Sequence, residues 1–232
     1  MKAEIYSRQN RLEESLELFL LCDNILESIK RPTKQHTEIP FSIAKTYHKL
    51  DDIENAILYA EKSLEQFNHY HIYHDGPASG LPLKFKVQLF WALSELYYLK
   101  KDYRNSLKYY HFLLDYYQGE YDEKTISEIL MDIAIIFEQQ EYYEKAIELY
   151  MDAFYYLEKR GESPGVLGHI QYDIGRLHYD LKSFQDAHDY LEKALTNFET
   201  ENVKNPLLEI EKQDYYQDAY RLWKKLNERG YL

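Results

Sequence analysis

The side chains best placed to bind a metal are His69, His71 and His74, with Asp75 beside them in segment 68–75. Imidazoles this close together can hold zinc or copper. Their spacing matches no established ligand motif, so a solvated, aromatic-rich insertion is the reading preferred over a metal site. Such a loop could fold over a groove or touch a second chain. No catalytic constellation accompanies it: the sequence has no Gly-rich phosphate loop, no nucleophile elbow and no His-Glu-x-x-His. Acid pairs such as Glu13–Glu14 suit solvated helix faces. The tyrosine pairs 109–110, 116–117, 142–143 and 155–156 suit packing between helices with one ring half exposed. The single Cys22 supplies neither a disulfide framework nor a cysteine zinc site, which fits a reducing compartment. A non-enzymatic protein without a cofactor is expected.

Charge narrows the partners. With 40 acidic against 28 basic residues the net charge is −12, and no basic run longer than 104–108 or 221–225 offsets it, so the chain is not expected to bind nucleic acid. A basic peptide or a basic protein face is compatible. Residues 1–11 hold no apolar leader core, and the apolar run 16–22 contains Glu17 and is too short to span a bilayer, so a cytoplasmic, soluble chain is expected. A hydrophobic fraction of 45% in 232 residues is enough to bury a core.

The elements that would position any binding residues are helices. Glycine and proline cluster at 30–40, 74–82, 118–122, 161–168 and 201–206. Between the clusters apolar residues recur at three and four, as in Ile147, Tyr150, Phe154 and Leu157. A second, weaker break divides the segments at 50–52, 101–103, 140–142 and 182–184, which makes each one a helical hairpin. The small residues just after these turns are Ser15, Ala56, Ser106, Ala146 and Ala187, spaced 41, 50, 40 and 41 residues apart. A recurrence of this length indicates an α-solenoid.

The hairpins resemble tetratricopeptide repeats, which place small and bulky residues alternately where two helices approach. The matching sets are Ala44, Tyr47, Ala56, Ala60, Ser63; Ser94, Tyr97, Ser106, Tyr110, Leu113; Ala134, Phe137, Ala146, Tyr150, Ala153; and Gly175, His178, Ala187, Leu191, Ala194. Ala60, Leu113, His178 and Leu191 depart from the pattern. Ala3, Tyr6, Ser15, Phe19 and Cys22 fit a first unit in which Met1 falls inside a repeat. The resemblance implies an all-α, right-handed superhelix as a single domain over 1–232, with hairpins at 1–30, 36–69, 83–118, 123–160 and 165–200 and a polar cap at 207–229. Repeats longer than the common length of about 34 residues, together with tyrosine-rich stretches at 143–150 and 184–195, are similar to the sensory domains of peptide-pheromone receptors of the Rap, NprR and PlcR type. That likeness implies a superhelix closed around a short peptide. Those receptors carry an effector module before the repeats; because the repeat pattern here is read from Ala3 onwards, any output activity is expected on a further segment or on a partner.

In stacked hairpins the non-core side of each first helix faces the concave surface. The binding candidates there are Lys45, Lys49, Trp91, Glu95, Tyr98, Asp132, Glu138, Tyr172, Asp173, Arg176 and Tyr179. Rings bury large area and charges fix orientation, as a peptide groove needs. The charges suggest a basic N-terminal part and an acidic C-terminal part that would suit a basic or amphipathic peptide; the alternative is that they pair across adjacent helices. Chaperone tail binding is disfavoured because the Asn of the carboxylate clamp is missing. The remaining expectation is a general scaffold, homodimeric or holding a larger protein.

Overall fold

A computed structural model of the chain describes residues 2–73, 82–204 and 213–228. Eleven helices and no strand occur among the described residues: α1 (Lys2–Arg8), α2 (Leu12–Glu27), α3 (Lys34–Lys49), α4 (Ile53–Tyr73), α5 (Leu83–Leu99), α6 (Tyr103–Glu120), α7 (Glu123–Gln139), α8 (Tyr143–Arg160), α9 (Pro164–Asp180), α10 (Phe184–Lys204) and α11 (Asp214–Glu228). None of them is long and apolar enough to cross a membrane. They form two compact units, Met1–Leu113 and Leu114–Leu232, with the boundary inside α6.

Successive helices pair as hairpins because small side chains let their axes approach. In the first unit Ala44, Ala56, Ala60, Ser94 and Ser106 are almost fully buried. The buried serines also satisfy backbone: Ser15 Oγ donates to the Ala3 carbonyl (2.8 Å), Ser63 Oγ to Thr37 (2.7 Å) and Ser106 Oγ to Ser94 (2.8 Å). Each of these ties the second helix of a hairpin to the first. Bulky neighbours fill the remaining space, with Tyr97 stacked on Tyr109 and Tyr47 on Tyr59. In the second unit α9 takes the principle furthest. A Cβ on Gly175 would sit 2.9 Å from Leu191 Cγ, and one on Gly168 would sit 2.9 Å from Phe198 Cε1, so the glycines allow α10 to lie closer than alanine would.

The turns share one hydrogen-bonding scheme. Asn10, Asp51, Lys101, Tyr121, Glu141, Gly161 and Lys182 all have positive φ. Around Asp51, its own N–H reaches the His48 carbonyl (3.1 Å) while Asp52 N–H reaches Tyr47 (3.0 Å); the same crossed pair recurs at the other turns, for instance Glu141 to Glu138 and Tyr142 to Phe137 (both 2.9 Å). These are Schellman closures, which satisfy carbonyls at a helix end. The next residue often caps the following helix: Asp52 accepts from Asn55 N–H (3.1 Å), Asp102 from Asn105 N–H (3.2 Å) and Asp122 from Thr125 N–H (3.2 Å).

Three boundaries differ from those read in the sequence. Helix α3 starts at Lys34 and carries Pro40 inside it, because its N-terminus is held by Thr33, whose N–H donates to His36 Nδ1 (3.1 Å) while the opposite ring nitrogen meets the Leu26 carbonyl (3.0 Å). Helix α4 runs on to Tyr73, because Phe67 and Tyr70 continue the buried stripe, so His69 and His71 belong to its last turns rather than to the connection. The turn after α6 uses Tyr121 (φ 56), and Gly119 stays helical. At the C-terminus α11 buries Ala219 and Leu226 and packs Tyr216, Leu222 and Trp223 against α10, which covers the last apolar face.

Two substitutions test these packing and turn rules. Gly175→Ala gains helix propensity of about 1 kcal/mol but forces a contact worth about 1–3 kcal/mol of strain, so thermal melts should show a net loss of about 1 kcal/mol. Glu141→Gly relieves a left-handed residue strained by about 1–2 kcal/mol and, after glycine's entropy of about 0.5–1 kcal/mol, should raise the melting temperature.

Candidate functional site

Within the second unit, Arg176 of α9 donates to Glu138 of α7 (2.8 Å) and lies 3.6 Å from Asp173. Tyr150, buried on α8, senses Asp173, Glu138, Arg176 and Asp132 together. One guanidinium thus stands among three carboxylates. Burial pushes Asp173 up to about 6, with Arg176 opposing the shift and Glu138 adding to it. Although burial alone would lower it, the value of Arg176 is raised by the Glu138 hydrogen bond and the surrounding negative charge. Burial, then Asp173 and Glu138, also raise Tyr150, keeping its hydroxyl a neutral donor.

Tyr172 and Tyr179, on the same helix, are half-buried. Tyr172 stands edge-on to Tyr215 of α11 (5.7 Å), and Tyr179 edge-on to Phe184 (5.7 Å) with the Lys225 ammonium 4.9 Å from its ring. Helix α11 therefore packs beside α9 and shares these rings. His169 lies between Phe198 (5.1 Å) and Tyr215 (4.3 Å), and burial lowers its value below the ordinary one.

The other candidates occupy the first unit. Lys45, whose ammonium end is desolvated although the residue as a whole is accessible, and the exposed Lys49 line a depression of about 260 Å³ with Glu4, Ser7, Arg8 and Ser42. The Lys45 ammonium lies 4.6 Å from the Phe41 ring, and burial followed by Lys49 lowers its value. On α5, Trp91 is half-buried edge-on to Tyr110 (6.1 Å), Tyr98 is half-buried against Tyr103 (6.2 Å), and Glu95 is exposed. The structure thus gathers Asp132, Glu138, Asp173 and Arg176 in one place and Lys45 with Lys49 in another.

At the end of α4, the His71 ring packs on Phe67 (4.3 Å) and His69 is exposed; His74 lies outside the described residues. Among the described residues no group of three or more His, Cys, Asp or Glu is arranged to hold a metal ion.

A tetratricopeptide repeat family model matches residues 41–68, most of the α3–α4 hairpin. No curated protein matches the sequence. Solved structures do match: the apo form of RapI (TM-score 0.64, 16% identity, 98% of this chain and 81% of that one) and aspartyl phosphate phosphatase F from Bacillus subtilis (0.61, 17%, 98% and 58%). A signal transduction ATPase with a tetratricopeptide repeat sensor, from Pyrococcus horikoshii, matches at 0.67 with 19% identity over 95% of this chain and 31% of that one. The chain has a tetratricopeptide-type fold.

In that fold the first helix of each hairpin supplies the candidate residues, here α3, α5, α7 and α9. Sequence reasoning missed Tyr150 as part of the acidic group, because its place in the small–large pattern marks it as packing only. It also missed Tyr215 and Asp218 of α11, which the polar character of a cap conceals; Asp218 acts on Tyr172 after burial itself.

The Asp173 carboxyl has a readable pH signature. Its folded value of about 6 lies above the ordinary 3.8, so the folded state holds the proton more tightly and stability falls as pH rises from 3.8 through 6. Asp173→Asn should therefore stabilise the chain by about 2 kcal/mol at pH 7.5 and by almost nothing at pH 4, measured by urea unfolding at both.

Proposed function

We propose that this chain is a non-enzymatic binding domain that senses a short peptide or protein segment, as the regulatory part of a bacterial, cytoplasmic, quorum-sensing-type regulator. The observation that carries the reading is the part-buried group of Glu138, Asp173 and Arg176 on α7 and α9, with Asp132 and the buried Tyr150 close enough to feel the same charges. A lysine or arginine side chain, or a free peptide amino terminus, is the ligand group that the part-buried Asp173 carboxyl would favour. Tyr172 offers a ring beside it. Tyr179 is a further candidate in the second unit, and Lys45, Lys49, Trp91, Glu95 and Tyr98 are separate binding candidates within the first. Fold likeness to apo RapI and to a tetratricopeptide repeat sensor supports it. So does the resemblance of the long repeats to pheromone receptors.

A general scaffold is the second reading. It is favoured by apolar side chains left exposed on second helices, Tyr142 just before α8 together with Met151 and Tyr155 in the second unit, and Leu58 and Phe112 in the first. These would suit a protein partner rather than a small ligand.

Calorimetry with short basic, neutral and acidic peptides separates the two. Basic peptides should bind, and Asp173→Asn should weaken them about tenfold, or about 1.4 kcal/mol. Because Asp173 must release its proton to meet a cation, affinity should fall as pH drops below about 6. Absence of binding by all three classes at millimolar peptide rejects the sensing reading.

A further inference from the structure

Between α8, α9 and α10 the second unit holds a depression of about 240 Å³ that is separate from the acidic group. Each helix contributes one pair of side chains three residues apart: Met151 and Phe154 of α8, Gln171 and Ile174 of α9, Tyr190 and Lys193 of α10. Residues so spaced are neighbours on a helix surface, so three helix faces meet at one level. Helix periodicity puts Gln171 and Ile174 on the side of α9 turned away from Asp173 and Arg176.

Most of the lining is apolar. Ile174 is almost fully buried, Phe154 and Tyr190 are half-buried, and Met151 is open to water. The His178 ring, stacked on Tyr190 at 5.6 Å, holds that wall in place. Two rings and a thioether around one space favour an aromatic guest, because rings pack well against rings and sulfur against ring edges. A dry apolar cavity of about 150 Å³ accommodates benzene, so this depression has room for one ring and a short chain.

Two polar groups select the rest of the guest. Gln171 is only 8% exposed; its Oε1 accepts from Asn197 Nδ2 (2.7 Å), while its amide nitrogen has no partner among the described residues. A buried amide seldom leaves its donors unused. The Lys193 ammonium lies 5.0 Å from the Tyr190 ring, and no carboxylate among the described residues stands within ion-pair distance of it. By contrast Lys124, Lys145, Lys159 and Lys224 of the same unit each meet a glutamate.

We infer that this depression binds a small aromatic carboxylic acid. The ring lies among Phe154, Ile174, Tyr190 and the Met151 thioether, and the carboxylate accepts from Gln171 and pairs with Lys193. An acceptor answers the amide and a negative charge answers the ammonium; a carboxylate does both. The inference is independent of the peptide reading above, because the two sites share no residue and either can fail without the other.

The chain's three methionines, Met1, Met131 and Met151, make the test direct. With isotope-labelled methionine methyl groups, hydrocinnamate added to the full chain should shift the Met151 resonance, saturating with a Kd of about 1 mM or tighter. Met131, on α7, should stay in place. Lys193→Glu, on an exposed position and so compatible with folding, should weaken binding about fivefold. Gln171→Leu, which removes the donor and keeps the bulk, should weaken it by a similar factor. Hydrocinnamamide, neutral and of the same shape, should bind the unmodified chain more weakly than the acid does. A Met151 resonance unmoved at about ten times the expected Kd overturns the inference. So do equal shifts at Met131 and Met151, which place the contact elsewhere. An amide that binds as tightly as the acid, or binding that neither substitution weakens, overturns it too, because the two polar groups then select nothing.

Discussion

Two helices can close to bonding distance along their length only where one of them gives up side-chain volume at each crossing. That constraint organises this protein. In every hairpin an alanine, serine or glycine stands where the partner helix comes nearest, and the large residue beside it fills what the small one leaves open. Interior packing density leaves little tolerance, so exchanging a small residue for a larger one is felt through the whole pair. Serine has an advantage over alanine where the partner's carbonyl is within reach, as for Ser15, Ser63 and Ser106, because burying its hydroxyl is offset by a hydrogen bond. Several tyrosines follow from the same rule, among them Tyr97, Tyr109, Tyr110 and Tyr150, which are buried as the large partners.

Closely packed hairpins need tight turns, and a glycine-poor chain must make them without glycine. Six of the left-handed turn residues named above carry side chains, among them Lys101, Tyr121 and Glu141, and only Gly161 has none. Strain of this kind persists where surrounding bonds determine the geometry. Here the crossed Schellman bonds do so from one side and the Asp caps, with their paired Asn55, Asn105 and Thr125, from the other. Turn and cap are one unit, and the helices on either side inherit their crossing angle from it.

This division of labour explains what could be read from the sequence. Small–large pairs are local in composition and recur, so the five hairpins and Ala56, Ser106, Ala146 and Ala187 at their crossings were legible. The end of α4 was not, because His69 and His71 look like loop chemistry while the helix is carried past them by Phe67 and Tyr70. Pro40 reads as a break, and only the Thr33–His36 cap, reaching back to the Leu26 carbonyl, lets α3 begin before it. Gly119 reads as the turn residue, yet the register of α6 places Tyr121 there. For the candidate site, face counting put Asp132, Glu138, Asp173 and Arg176 on first helices, and the Arg176–Glu138 ion pair between α9 and α7 is the cross-helix pairing weighed there against a ligand groove. The pairing of Tyr172 with Tyr215 did not, since it depends on how α11 lies against α9, which no local pattern encodes.

The acidic group differs from the buried serines. Ser15, Ser63 and Ser106 each answer a backbone need by donating to a carbonyl of the partner helix. Asp173 satisfies no backbone donor or acceptor among its described interactions; it stands beside Arg176, which already holds Glu138 at 2.8 Å, and its proton affinity is raised by burial and by that same Glu138. An apolar residue of similar size would serve packing better, because a buried charge with incomplete compensation opposes folding. Fold requirements therefore do not account for a third carboxylate here. On the proposed peptide-binding reading a cationic ligand group would account for it, because it would lower the cost of ionising Asp173 and so favour positive charge.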